Sequence, residues 1–233
     1  MKIIILNLYK SLKFPHGRTP VMKKIIFFHE KCLLVIIIVL VPVLIILLYN
    51  LYKTFRSVTN LENINFEILW TIAPSIIIIM LMVPSLELLY FSEETGGAFF
   101  ANKLKVVGHQ WYWSYEEEFI SEETTRSIKF DSYIIKEKDL NPGEFRKCEV
   151  DKPVIFETNR PTRMLITSAD SIHSWSIPEF GVKVDAVPGR LNQVVIFTQE
   201  PGRFFGFCSE LCGVNHRFMP IVAEVIHLDR VNF

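Results

Sequence analysis

Two uncharged apolar runs in the first third of the chain limit its possible folds more than any other feature. CLLVIIIVLVPVLIILLY extends from Cys32 to Tyr49, and ILWTIAPSIIIIMLMVPSL from Ile68 to Leu86. At helical rise each is roughly 27–29 Å long, enough to cross most of a bilayer's hydrocarbon core. Soluble helices of that length present a charged or polar face to water, and neither run has a charged one. Pro42, Pro74 and Pro84 agree, because proline interrupts soluble helices and is tolerated in membrane ones. The expectation is a transmembrane hairpin of two spans. The first run lies too far from the N-terminus, and lacks a small-residue cleavage site after it, to be a secretory signal.

Charge is balanced over the whole chain, with 25 Lys+Arg against 25 Asp+Glu, but its distribution is uneven. Residues 1–31 carry seven basic side chains and one acid, whereas residues 87–233 carry sixteen basic side chains and twenty-two acids. A mildly acidic C-terminal part favours a basic partner and argues against nucleic acid. The basic stretch of Lys2, Lys10, Lys13, Arg18, Lys23 and Lys24 reads as an N-terminal extension or an organelle-type leader. Counted by the positive-inside rule, it keeps the C-terminal part on the cytoplasmic or matrix side.

From Ser92 onward the texture is different. Short β-rich runs recur at 103–107, 111–115, 153–158, 163–167, 192–198, 203–208 and 221–226. Between them stand Asn-Pro-Gly at 141–143, Val-Pro-Gly at 187–189 and Glu-Pro-Gly at 200–202. Strands at this spacing with Pro-Gly turns indicate an antiparallel sandwich or barrel. The expected division is 1–26 extension, 27–91 hairpin and 92–233 all-β domain.

One connection in that domain is dense in soft ligands. CSELCGVNHRFMP, Cys208 to Pro220, holds Cys208, Cys212, His216 and Met219, two of the chain's four cysteines among them. A Cys208–Cys212 disulfide leaves His216 and Met219 without a task. A structural zinc site has little use for a thioether. A plain core loop accounts for Met219 alone. Thiolate, imidazole and a weak axial thioether together are the ligand set of electron-transfer copper. His173, thirty-five residues earlier in SADSIHSWSIP, is the upstream candidate, read as lying in a loop after a strand. Two thiolates suggest two metal ions bridged by two sulfurs, with His173 and His216 each capping one, and Met219 and a loop carbonyl as weak axial contacts. His16, His29 and His227 read as incidental, His109 as ambiguous, and Cys32 and Cys148 as bystanders.

GHQWYWSYE (108–116), DSIHSWSIPEFGVK (170–183), DAVPGRLNQ (185–193) and CSELCGVNHRFMP (208–220) occur together in order. With WTIAPSIIII at the second span, they resemble subunit II of the haem–copper cytochrome c oxidases from about Phe27 to the C-terminus. The resemblance implies an all-β, cupredoxin-like Greek-key domain after the hairpin. It also implies a binuclear copper A centre of two copper ions, held by His173, Cys208, Cys212, His216, Met219 and the main-chain carbonyl of Glu210. By the same resemblance the Glu210 carboxylate helps hold a magnesium ion shared with the large catalytic subunit. Glu67 stands at the mouth of a proton path into that subunit, Trp111 is the indole through which electrons enter, and Glu116 and Asp170 are docking acids. Glu117, Glu118, Glu122 and Glu123 extend that acidic patch, although a charge run is commonly just a solvated surface. Tyr112 and Trp113 read as sheet and interface packing.

The implied activity is that of cytochrome c oxidase. Reduced cytochrome c docks on an acidic face and gives one electron to copper A, which passes it to haem in subunit I. There oxygen is reduced to water, coupled to proton pumping. The implied partners are cytochrome c, the haem-bearing subunit I, other oxidase subunits and the lipid bilayer. The implied location is the mitochondrial inner membrane with the copper domain in the intermembrane space. That is the opposite side from the charge count, and the resemblance is preferred because cytochrome c is found there. Three alternatives are distinguishable. A quinol oxidase subunit shares the architecture but lacks the ligands, nitrous oxide reductase is far longer and has no hairpin, and a tethered copper carrier binds one ion loosely.

Overall fold

The computed structural model describes residues 14–53, 62–93, 102–120 and 125–227. Glu122, Glu123 and the basic residues Lys2, Lys10 and Lys13 lie outside them. The chain divides into two compact units, one of residues 24–92 and the other of residues 1–23 with 93–233.

The apolar runs lie within helix α1 (Pro20–Tyr52) and helix α2 (Ile64–Glu93). Thr19 starts α1 by accepting the Met22 amide on its Oγ1 at 3.1 Å, with Pro20 at the first helical position, where a missing N–H costs nothing. Asn63 does the same for α2, its Oδ1 accepting from the Asn65 and Phe66 amides at 3.2 and 3.3 Å. Pro42 lies inside α1, and Pro74 and Pro84 inside α2, without ending either helix. The hydroxyls of Thr71 and Ser75 donate to the carbonyls one turn back at 2.8 and 2.9 Å. Polar side chains satisfied within their own helix are what a hydrocarbon surround requires. In both helices the most apolar window has no buried residue within the chain, a surface that lipid or an apolar partner must cover.

The other unit is a sandwich of two five-stranded sheets. Strands β1 (Asn102–His109), β2 (Tyr112–Ile120), β3 (Thr125–Ser132), β5 (Pro161–Ser168) and β8 (Asn192–Phe197) form the first, in the order β3-β2-β1-β5-β8. Strands β4 (Val154–Glu157), β6 (His173–Ile177), β7 (Val182–Ala186), β9 (Gly202–Cys208) and β10 (Pro220–Ile226) form the second, in the order β4-β10-β9-β6-β7. Alternation places Leu104 and Val106, Trp113 and Tyr115, and Met164 and Ile166 of the first sheet in the core. There they join Phe156, Trp175, Ile177, Phe204 and Ile221 of the second.

The sheets depart from the purely antiparallel expectation at two pairings, since β1 runs parallel to β5 and β4 parallel to β10. Parallel neighbours need long crossovers, and three strands intervene between β1 and β5. Three strands were also not anticipated: β3, β6 and β7. TRSIKFDS and VKVDA alternate apolar with charged residues in short runs, and HSWSI carries polar residues although all five positions are buried. The acidic run Glu116–Glu118 is part of β2 and paired on both sides.

The segment before α1 belongs to this unit. The Arg18 amide donates to the Glu179 carbonyl at 3.0 Å, the Gln199 amide to the Arg18 carbonyl at 3.3 Å, and Thr19 Oγ1 to the Phe180 carbonyl at 2.6 Å. The Arg18 guanidinium also pairs with Glu200.

Candidate metal centre

Strand ends bring the ligand-type residues together. His173 opens β6, Cys208 closes β9 and Pro220 opens β10, while the turn Gln110–Trp111 joins β1 to β2. β6 pairs with β9 so that Trp175 faces Cys208, which places His173 beside the end of β9. His173 is therefore the first residue of a strand and not part of the preceding loop.

The His173 ring is fully buried, with Trp113 packed edge-on at 5.9 Å. Gly108 leaves room for it: a Cβ at that position would lie 2.9 Å from His173 Cδ2. His173 Nδ1 is 4.0 Å from Cys208 Sγ, and Cys208 Sγ is 3.9 Å from Cys212 Sγ. Cys212 Sγ is 3.5 Å from His216 Nδ1 and 3.5 Å from Met219 Sδ. The Glu210 carbonyl lies 3.3 Å from Cys208 Sγ. Both thiols are free; a disulfide needs sulfurs at about 2.05 Å. One donor atom each from His173, Cys208 and Cys212 falls within a 4.8 Å group. Cys208, Cys212 and Met219 are buried, His216 is half-buried, and the Glu210 side chain is exposed.

The two thiols differ. Burial pushes the Cys208 thiol up, but bonds from the His173 ring and the Ser174 and Glu210 main chain outweigh it and bring it below the ordinary value. Burial followed by the neighbouring Cys208 charge drives the Cys212 thiol well above its ordinary value. The pair gives up one proton readily and the second reluctantly, so a bound cation is what would hold both as thiolates. The donor set fits soft metal: two sulfurs side by side, imidazole nitrogens at either end, a thioether and a carbonyl.

A surrounding layer fixes these donors. The Cys212 carbonyl accepts from Gln110 Nε2 at 3.0 Å and from Trp111 Nε1 at 3.2 Å. Gly213, at φ +116°, packs under the Trp111 indole, where a Cβ would be 3.3 Å from Cζ2. Asp170 accepts from the Gln110 amide at 2.7 Å and the Ser171 amide at 2.6 Å, and contacts His173 Nε2 at 2.7 Å. Burial opposes its charge, but the His173 bond, then those two amides, hold the carboxyl below its usual range.

The other expected residues are placed as follows. Glu116 is 3.8 Å from Lys105 and opposite Lys129 in the sheet register. Glu118 bonds to Lys103 at 3.4 Å. Glu117 is half-buried on the side of β2 that carries Trp113 and Tyr115. Glu67 is in the first turn of α2, in the other unit. Gly108, Gln110 and Gly213 were not singled out from sequence. Their signal is steric or main-chain, which residue chemistry does not display.

Comparison with known proteins adds the family. The model for the cytochrome c oxidase subunit II periplasmic domain matches residues 102–226, and that for the subunit II transmembrane domain matches residues 7–88. Cytochrome c oxidase subunit 2 of Yponomeuta malinellus is 41% identical over 221 residues, covering 95% of this chain and 94% of that protein. The subunit 2 of Metridium senile is 44% identical over 211 residues, covering 91% and 83%. Among solved structures, the periplasmic domain of cytochrome oxidase subunit II of Bradyrhizobium japonicum is 39% identical. It covers 55% of this chain and 85% of that one, with a TM-score of 0.47.

Proposed function

The chain belongs to the cytochrome c oxidase subunit II family, and from that membership we propose that it is the electron-entry subunit of the oxidase. In this reading it takes electrons from reduced cytochrome c and delivers them toward haem in the catalytic subunit, where oxygen is reduced and protons are pumped. The observation that carries it is the convergence of two free thiols, two imidazoles, a thioether and a carbonyl at one end of a rigid sandwich.

His173, Cys208, Cys212, His216, Met219 and the Glu210 carbonyl would hold two copper ions. Copper held there would supply a one-electron acceptor, with its charge spread over the two thiolates. The chain supplies the rest. Trp113 and the buried strand β6 keep water from His173, and Gln110 and Trp111 pin the Cys212 main chain. Trp111, half-buried at the turn, reaches a ligand residue through a single hydrogen bond, which supports it as the point of electron entry. Glu116 and Asp170 are the docking acids of this reading, Glu67 the entrance to a proton path, and the Glu210 carboxylate part of a magnesium site. The chain then divides into an extension (1–26), a hairpin (27–91) and a copper domain (92–233). It lies in the mitochondrial inner membrane, with that domain in the intermembrane space.

Replacing Trp111→Phe in the assembled oxidase tests the entry role. Transient kinetics with reduced cytochrome c should show electron uptake slowed by roughly tenfold or more, about 1.4 kcal/mol of barrier, with copper content and spectrum retained. Unchanged uptake removes Trp111 from the path.

A further inference from the structure

We propose that Asp170 is a positioning residue for the metal centre: its carboxylate fixes the tautomer and orientation of the His173 ring and ties that ring to the Gln110–Trp111 turn. The inference rests on the metal-centre reading above, and it gives Asp170 a task other than meeting a partner.

An ionised carboxylate only accepts hydrogen bonds. The 2.7 Å contact between Asp170 Oδ1 and His173 Nε2 therefore places a proton on Nε2. The lone pair of the neutral ring is then on Nδ1, the nitrogen that faces Cys208 Sγ. Histidines that bind metal through one nitrogen commonly have the other held this way, which sets ring orientation and raises ligand basicity. With the Nε2 proton engaged by Asp170, a flipped ring would direct a C–H edge at the carboxylate.

The carboxylate is itself immobilised. Oδ2 accepts the Gln110 amide and Oδ1 the Ser171 amide, while Ser168 Oγ lies 3.4 Å from Oδ1. Ser168 Oγ in turn lies within hydrogen-bond reach of the Gly108 and Ser171 carbonyls. Gly108 is the residue whose missing Cβ admits the His173 ring. One side chain thus joins the end of β1, the start of β6 and the turn that carries Trp111. A surface acid that served only to attract a basic partner would not need two main-chain amides and a buried imidazole. Glu116, by contrast, faces outward among Lys105 and Lys129.

A negative group bonded to the ligand ring stabilises the more positive, oxidised site. Removing the charge with Asp170→Asn in the purified oxidase should raise the reduction potential of the copper centre. It should also weaken copper retention against a chelator by roughly tenfold or more. Asp170→Glu should restore the potential most of the way, and Glu116→Gln should leave it unmoved. An Asp170→Asn protein with wild-type potential and copper retention, impaired only in binding cytochrome c, overturns the proposal. A readout independent of variants and of copper is nitrogen NMR of the metal-free, full-length chain at pH 8. His173 should carry its proton on Nε2, and a proton on Nδ1 instead overturns the proposal even if the variants fail to fold. Failure of the wild-type chain to bind any copper would refute the electron-entry reading, and the tautomer would still be read.

Discussion

Glu117 faces inward from β2, opposite Leu104 in the register, and its carboxylate takes a hydrogen bond from the Ile155 main chain of the other sheet. Its Oε1 is buried without a partner among the described residues. Burial dominates, and the carboxyl is raised above its ordinary value. The folded state then binds a proton more tightly than the unfolded chain. Stability is greatest below the ordinary glutamate value and falls as pH rises through the raised, folded one. Glu117→Gln should therefore raise the melting temperature of the full chain in detergent at pH 7, and the gain should vanish near pH 4. A variant that melts lower at pH 7 contradicts this. An acidic run in sequence gives no sign that its middle member points into a core. That follows only once the strand register is fixed, because a strand turns alternate side chains to opposite faces.

At the scale of elements, β9 carries the site's first thiol, and its other end is secured by charge. Arg203 donates to Glu149 at 2.7 Å and lies 3.7 Å from Glu224 on β10. Glu149 is only 3% exposed and also accepts the Phe145 amide. Phe145 packs edge-on against Phe205 at 5.5 Å. Arg203→Ala leaves a buried carboxylate unpaired. With the partly exposed guanidinium discounted, the cost should be on the order of 2 kcal/mol, read as a lower unfolding midpoint. No change in midpoint contradicts the pairing. This element illustrates what the sequence could and could not disclose. RFFGFC announces a strand through its aromatic density, and the ligand spacing after it announces soft-metal chemistry. Nothing in KCEVD reveals that Glu149 reaches Arg203, since the pairing is set by how distant strands stack. The hairpin was the most legible element, because a bilayer demands unbroken apolar length and the chain supplies it twice. β6 was hidden for the opposite reason: it is buried on both faces, so Ser174 and Ser176 disrupt the alternation that marks a half-buried strand.

Across the whole molecule, the uneven charge distribution and the site's place at one end of the sandwich bear on encounter with a partner. Three of the described acids named above have local partners: Glu116 lies by Lys105, Glu118 by Lys103, and Asp170 is bonded inward, while Glu210 in the ligand loop is exposed. On the proposed reading, the summed field of residues 87–233, whose acids outnumber their basic side chains, adds to the attraction of a basic cytochrome c. Such a field is screened over about 8–10 Å at ordinary ionic strength. Oxidase turnover with cytochrome c should fall steadily as salt is raised. A salt-independent rate would contradict steering. Cys208 and Cys212 are proposed to hold a copper pair between them. This is tested most directly by copper analysis combined with electron spin resonance of the oxidised, purified chain. Two coppers per chain sharing one unpaired electron are expected, with the signal lost in Cys208→Ser. A Cys208–Cys212 disulfide in that protein, with no copper bound, would contradict it.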